Sequence, residues 1–83
     1  MQKIRILGVT VSEKIKHPEQ IQQIFSMYGN IIRTRIGLNE EKDGFAQLYG
    51  IILLELFGDE EQFDALEEKL HSIHGIEMQS MNF

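Results

Sequence analysis

Three histidines are the side chains of this sequence best suited to bind a metal ion. His71 and His74 stand three residues apart in "KLHSIHGIE", and His17 precedes the single proline, Pro18. Zinc holds each imidazole nitrogen at ~2.0 to 2.1 Å, whereas packed helices have axes ~8 to 10 Å apart. The histidine side chains would therefore have to converge from both helices to share one ion. Histidines near a helix end also complement the helix dipole. We expect no metal site and keep a metal-responsive module using His17, His71 and His74 as the alternative.

A pair of arginines could bind an anion or the carboxylate of a partner. Arg33 and Arg35 alternate with other residues in "IIRTRIGL", so both are expected on the same, helix-free side of a strand. A guanidinium offers a planar fork of donors that matches carboxylate and phosphate oxygens. Glu55, on the strand expected beside them, is their predicted neighbour. The alternative is an exposed cross-strand salt bridge of little energetic consequence.

The sequence does not predict an enzyme. No motif links a serine or threonine to a histidine base, and no cysteine is present to supply a thiolate nucleophile. The missing cysteines also exclude disulfides and sites built on cysteine ligands, such as iron–sulfur clusters. A glycine-rich phosphate-binding signature is absent as well. We therefore expect no catalytic residue and no cofactor.

Length and composition predict one small domain over residues 1–83. A single core of this size is barely sufficient for stability, so further burial in an oligomer is expected. Thirteen acids against eight lysines and arginines give a net charge of −5, which opposes nucleic-acid binding. The longest apolar run, "GIILLELFG", is too short to cross a membrane and contains Glu55. We expect no nucleic-acid or membrane partner and a cytoplasmic location.

The periodicity of the apolar residues predicts the element order β-α-β-β-α-β. Strands are predicted at about Lys3–Ser12 and over "IIRTRIGL", "LYGIILLELFG" and "IEMQSM". One helix is predicted to begin near Pro18 and the other to be capped by Asp59 with Gln62. Their predicted buried stripes are Ile21, Ile24, Phe25 and Tyr28, and Phe63, Leu66, Leu70 and Ile73. The fold class is α+β, a ferredoxin-like (ACT-like) sandwich with two helices on one face of a four-stranded antiparallel sheet in the order 4-1-3-2.

The two central strands are apolar on both faces, although the helices cover only one. Opposite the predicted core positions stand Ile4, Ile6, Tyr49, Ile51, Leu53 and Phe57. A contiguous apolar patch of this kind marks an interaction surface, so we predict that another subunit buries it in a dimer or tetramer. The alternative is that the register is misread or that a loop folds over the sheet, although the loop "NEEKDGFAQ" is too polar to cover much of it. The predicted ligand or interface residues are Arg33, Arg35, Tyr49, Leu53 and Glu55.

Four stretches together carry a family resemblance: "IRILGVTVS", "GNIIRTRIGL", "YGIILLEL" and "HGIEMQSM". The chain resembles the iron-only hydrogenase system regulators, whose fold is ACT-like and akin to the C-terminal domain of the nickel regulator NikR. The likeness spans almost the whole chain. It implies a single non-catalytic, oligomeric ACT-like regulatory domain that binds a small effector or a protein partner. It does not imply nickel ligation of the NikR type, because the cysteine is missing and the histidines fall elsewhere.

Overall fold

A computed structural model describes residues 2–12, 16–38 and 50–83. The chain forms six elements in the predicted order. They are β1 (Lys3–Val11), α1 (Pro18–Met27), β2 (Ile32–Leu38), β3 (Gly50–Gly58), α2 (Glu60–His71) and β4 (Ile76–Asn82). The loop "NEEKDGFAQ" and Tyr49 lie outside the described residues, so what the sequence predicts for them stays a prediction.

The four strands form one antiparallel sheet in the order β2-β3-β1-β4. β1 and β3 pair along their whole length, from Lys3 opposite Gly58 to Val11 opposite Gly50. Each helix therefore connects two parallel strands that flank a third, antiparallel one, which is the split β-α-β connection. The predicted strand order and the ferredoxin-like fold class are confirmed.

The core lies between one face of this sheet and the two helices. Because side chains alternate along a strand, every second residue of β1 and β3 points toward the helices. Leu7, Val9, Leu54 and Leu56 are fully buried there. The helices add Ile21, Ile24 and Phe25 from α1 and Phe63, Leu66 and Leu70 from α2. Ile73 is also buried, and Tyr28 packs against the core from a partly buried position. Both predicted helical stripes are confirmed, and both helices cover the same sheet face.

Local sequence sets the ends of the helices. Pro18 opens α1, where its missing N–H would have had no helical partner. The N–H of Asp59 donates to Gln62 Oε1 at 3.4 Å, one half of the predicted capping box at the start of α2. Gly75 has a φ of +98°, a left-handed conformation that suits the turn from α2 into β4. Neither α1 nor α2 is long and apolar enough to cross a membrane.

A charged side chain, Arg5, lies on the helix-covered side of β1 with only 7% of its surface exposed. Its guanidinium donates to Asn82 Oδ1 at 2.6 Å, to Asp64 Oδ1 at 2.9 Å and to Glu67. It also lies 5.2 Å from the centre of the Phe63 ring. Burial by itself lowers the pKa of Arg5, but the hydrogen bond to Asp64 and the charge of Glu67 raise it above its ordinary value. Arg5 stays charged and ties β1 to both α2 and β4.

Candidate functional site

The face of the sheet that carries neither helix, here the helix-free face, is the candidate functional site. Residues directly opposite each other in an antiparallel pair lie on the same face, so the register identifies its central side chains. They are Ile4, Ile6, Gly8 and Thr10 of β1, opposite Phe57, Glu55, Leu53 and Ile51 of β3. Five of these eight residues are large and apolar, and Ile51 is 42% exposed. The predicted apolar character of both faces of the central strands is confirmed.

The outer strands complete the helix-free face. By their pairing, β2 adds Thr34 and Ile36, and β4 adds Glu77, Gln79 and Met81. Phe83 follows Met81 by two residues, and its N–H donates to the Ile4 carbonyl oxygen at 2.9 Å, which extends the β4 row. Of the five exposed large apolar side chains in the described residues, four belong to this face: Ile36, Ile51, Met81 and Phe83. Exposed apolar surface is thus concentrated where the helices do not cover the sheet.

A β-bulge in β2 decides which residues of that strand reach the helix-free face. Ile32 lies opposite Leu56 of the core, whereas Thr34 lies opposite Glu55 of the helix-free face. The pairing shifts between Ile32 and Thr34, so Arg33 is an inserted residue. An inserted residue interrupts the alternation of side chains. Arg33 and Thr34 consequently lie on the same side of the sheet. Every later side chain of β2 points to the opposite side from the one it would take in a regular strand.

Arg35 lies on the helix-covered side as a result. It pairs with Leu54 of the core, its guanidinium carbon is 4.8 Å from the centre of the Phe25 ring, and it donates to Gln22 Oε1 at 3.0 Å. The prediction that Arg33 and Arg35 share the helix-free face was wrong, because strict alternation does not survive a bulge. Arg35 connects β2 to α1, and Arg33 stays on the helix-free face.

Arg33, Thr34 and Glu55 form a polar group on the β2 side of the helix-free face. Thr34 Oγ1 donates to Glu55 Oε1 at 2.9 Å, and Arg33 Nε lies 3.9 Å from the same oxygen. The Arg33 guanidinium carbon is 4.7 Å from the centre of the Phe57 ring. The side chain of Arg33 is 54% exposed and that of Glu55 only 29%, so the guanidinium keeps donors available for an anion or a partner carboxylate. The predicted proximity of Arg33 and Glu55 is confirmed.

The histidines are only partly brought together. His17 and His74 line a shallow cleft of about 290 Å³ between the start of α1 and the end of α2, and His71 does not line it. His17 Nδ1 lies 3.2 Å from Glu19 Oε1, and the histidines are all exposed. Within the described part of the chain, no three or more histidine, aspartate or glutamate side chains are grouped so that they could hold a metal ion.

This fold and this face define a class of small α+β protein, the ferredoxin-like domain with one apolar sheet face left uncovered. The chain belongs to the TM1266-like family, described as "Iron-only hydrogenase system regulator, putative", whose family model matches residues 3–80. The family predicted from the sequence is confirmed. No protein of curated function matches the chain.

Solved structures are similar to the chain to different degrees. The uncharacterized protein TM1266 from Thermotoga maritima matches with a TM-score of 0.83 at 23% identity, over 100% of this chain and 99% of that chain. A second match is CPII, a nitrogen regulatory PII-like protein from Thiomonas intermedia K12, in a structure bound to ADP, AMP and bicarbonate. Its TM-score is 0.47 at 16% identity, over 100% of this chain and 93% of that chain. The apo form of CPII gives a TM-score of 0.49 at 14% identity, over 100% and 92% of the two chains. The likeness to TM1266 concerns the fold.

Proposed function

We propose that this protein is a non-catalytic regulatory module that assembles with further copies of itself through the helix-free face. In this proposal it serves an iron-only hydrogenase system in the cytoplasm and acts by binding a small effector or a protein partner. Membership of a family described as regulators of that system supports the regulatory role. The absence of cysteine favours the cytoplasm over an oxidising compartment.

The observation that carries the proposal is the apolar helix-free face. Antiparallel sheets with one solvated face normally place polar residues on it, yet here Ile4, Ile6, Leu53 and Phe57 stand there in neighbouring rows. A domain of 83 residues buries a smaller fraction of its surface than a larger one, so it gains stability by covering such a face. A second copy of the chain offers an apolar face of the same size. The assembly is a dimer or a tetramer.

The candidate interface residues on this face are Arg33, Leu53 and Glu55. Leu53 supplies apolar contact area near the middle of the sheet, and Arg33 supplies a guanidinium that can pair with a carboxylate or an anionic effector. Arg35 leaves this set because its guanidinium contacts α1. Tyr49 remains a predicted member.

A non-catalytic role is supported by where three of the described hydroxyl groups are bonded. Thr10 and Ser72 donate to backbone carbonyl oxygens, and Thr34 donates to a carboxylate. None of these three hydroxyls donates to an imidazole, as a serine-type or threonine-type nucleophile with a histidine base would require. The sequence also contains no cysteine nucleophile.

Light scattering coupled to size exclusion tests the assembly. The wild-type chain at micromolar concentration should give at least the mass of a dimer. Leu53→Glu should shift the mass to that of a monomer, because each subunit would bury an unpaired carboxylate at a cost of about 2 kcal/mol or more. The matched control is Met27→Glu, which changes an exposed apolar residue at the end of α1 and should leave the mass unchanged. A wild-type chain that elutes as a clean monomer would contradict the proposal.

A further inference from the structure

The distribution of side chains over the helix-free face limits how a second copy can lie on it under the proposed function. The exposed apolar side chains occupy two opposite corners of the face. Ile36 and Ile51 are at one corner, near the end of β2 and the start of β3, and Met81 and Phe83 are at the other, at the end of β4. Ile6 and Leu53 of the central strands lie between these corners. The apolar side chains therefore form a band that runs diagonally across the sheet, here the apolar diagonal.

The remaining two corners carry opposite charges. Arg33 lies where β2 begins, and its side chain is the more exposed member of its pair with Glu55. Glu77 lies where β4 begins, opposite Thr10, and its carboxylate has no ion-pair partner among the described residues. β2 and β4 are the two edge strands, so the two charges are separated by three strand spacings, ~14 Å at ~4.8 Å each. They also lie at opposite ends of the strands.

Symmetry leaves few ways to stack two such faces. Two copies in a closed dimer are related by a two-fold axis, which for stacked sheets lies in the plane between them. An axis parallel or perpendicular to the strands would place Arg33 and Glu77 against the apolar corners of the partner, which is costly for a buried charge. An axis along the line from Arg33 to Glu77 would place each charge against its own copy. Like charges that face each other are destabilising.

We propose that a second copy stacks on the helix-free face with the two-fold axis along the apolar diagonal. Arg33 then lies opposite Glu77 of the partner subunit, and Glu77 lies opposite the partner subunit's Arg33. Ile6 and Leu53 lie close to the axis and meet their own counterparts. Because the axis runs at roughly 45° to the strands, the two sheets cross at nearly a right angle, one of the two ways in which sheets pack face to face. This inference rests on the proposed assembly and specifies its geometry.

Two charge reversals, Arg33→Glu and Glu77→Arg, test this arrangement by sedimentation equilibrium. Each variant alone sets like charges against each other at both contacts, so each should raise the dissociation constant of the dimer by at least about ten-fold. When the two variants are mixed in equal amounts, opposite charges face each other at both contacts of the mixed dimer. The mixture should therefore associate about as tightly as the wild-type chain.

Two control variants carry the same charge changes away from the helix-free face. Lys69→Glu and Glu68→Arg alter exposed residues of α2 and should leave the dissociation constant unchanged. Far-ultraviolet circular dichroism establishes that each variant is folded. The crossed arrangement is overturned if neither reversal weakens the dimer, or if the two variants fail to associate when they are mixed. Either result leaves assembly through the helix-free face standing. A monomeric wild-type chain overturns both proposals.

Discussion

Removing the buried cation Arg5 should destabilise the fold more than any change to an exposed charge. In Arg5→Met, the flexible thioether side chain retains most of the apolar contact on the helix-covered side of β1. The hydrogen bonds to Asp64, Glu67 and Asn82 are lost, together with the stacking on the Phe63 ring. At this end of the sheet β1 then keeps only apolar packing and the exposed pair Lys3–Glu60 with α2, and its backbone pairing with β4.

The size of the effect follows from how far each partner is exposed. The side chain of Asp64 is 70% exposed and returns to water at little cost, whereas that of Glu67 is 21% exposed and is left without its cation. Losing the partner of a fully buried charge costs ~3 to 5 kcal/mol, and the partial exposure of Glu67 reduces this. With ~0.5 to 1 kcal/mol from the contact with Phe63, we expect a loss of about 2 to 3 kcal/mol in the free energy of unfolding.

Urea denaturation of the wild type and the Arg5→Met variant measures this difference. For a domain of this size, each loss of 1 kcal/mol in the free energy of unfolding also lowers Tm by roughly 4 to 8 °C. Adding Glu67→Gln to Arg5→Met removes the unpaired carboxylate, so the double variant should recover part of the loss. Lys3→Met is the matched control, because Lys3 forms an exposed ion pair with Glu60 at 3.1 Å and should change stability by less than ~1 kcal/mol. The reasoning is refuted if Arg5→Met is as stable as Lys3→Met, or if Glu67→Gln makes it less stable still.

Two further predictions concern the other charged candidates. Arg33→Lys should weaken assembly, because the guanidinium fork is lost while the charge is kept. Arg35→Lys should leave the mass measured by light scattering unchanged, because Arg35 contacts α1. Equal effects of the two changes would contradict the placement of the two arginines by the bulge. Purified protein should contain no stoichiometric nickel or zinc by elemental analysis, since the described residues include no group of three histidine or acidic ligands. Tight one-to-one binding in calorimetry that disappears in His71→Ala would instead favour the metal-responsive alternative.

The element order, the strand order and the helix-covered core were all predictable from the sequence. These features depend on periodicity and on local signals, which a single chain displays directly. Apolar residues at helical spacing identify the buried stripes of α1 and α2, and Asp59 with Gln62 marks where α2 begins. The apolar character of both faces of β1 and β3 was also evident, because alternation assigns each residue to one face as long as a strand is regular.

Two features depend on contacts between distant segments, and only the folded chain shows them. The bulge between Ile32 and Thr34 arises from the fit of β2 against β3, so alternation within β2 could not show that Arg33 and Arg35 point to opposite sides. The partners of Arg5 come from α2 and β4, 59 to 77 residues further along the chain, and its position in an apolar strand gave no sign of them. A charged side chain becomes part of a core only when folding brings carboxylates to it. Whether carboxylates reach the guanidinium depends on how the helices pack on the sheet, which no local stretch of the sequence shows.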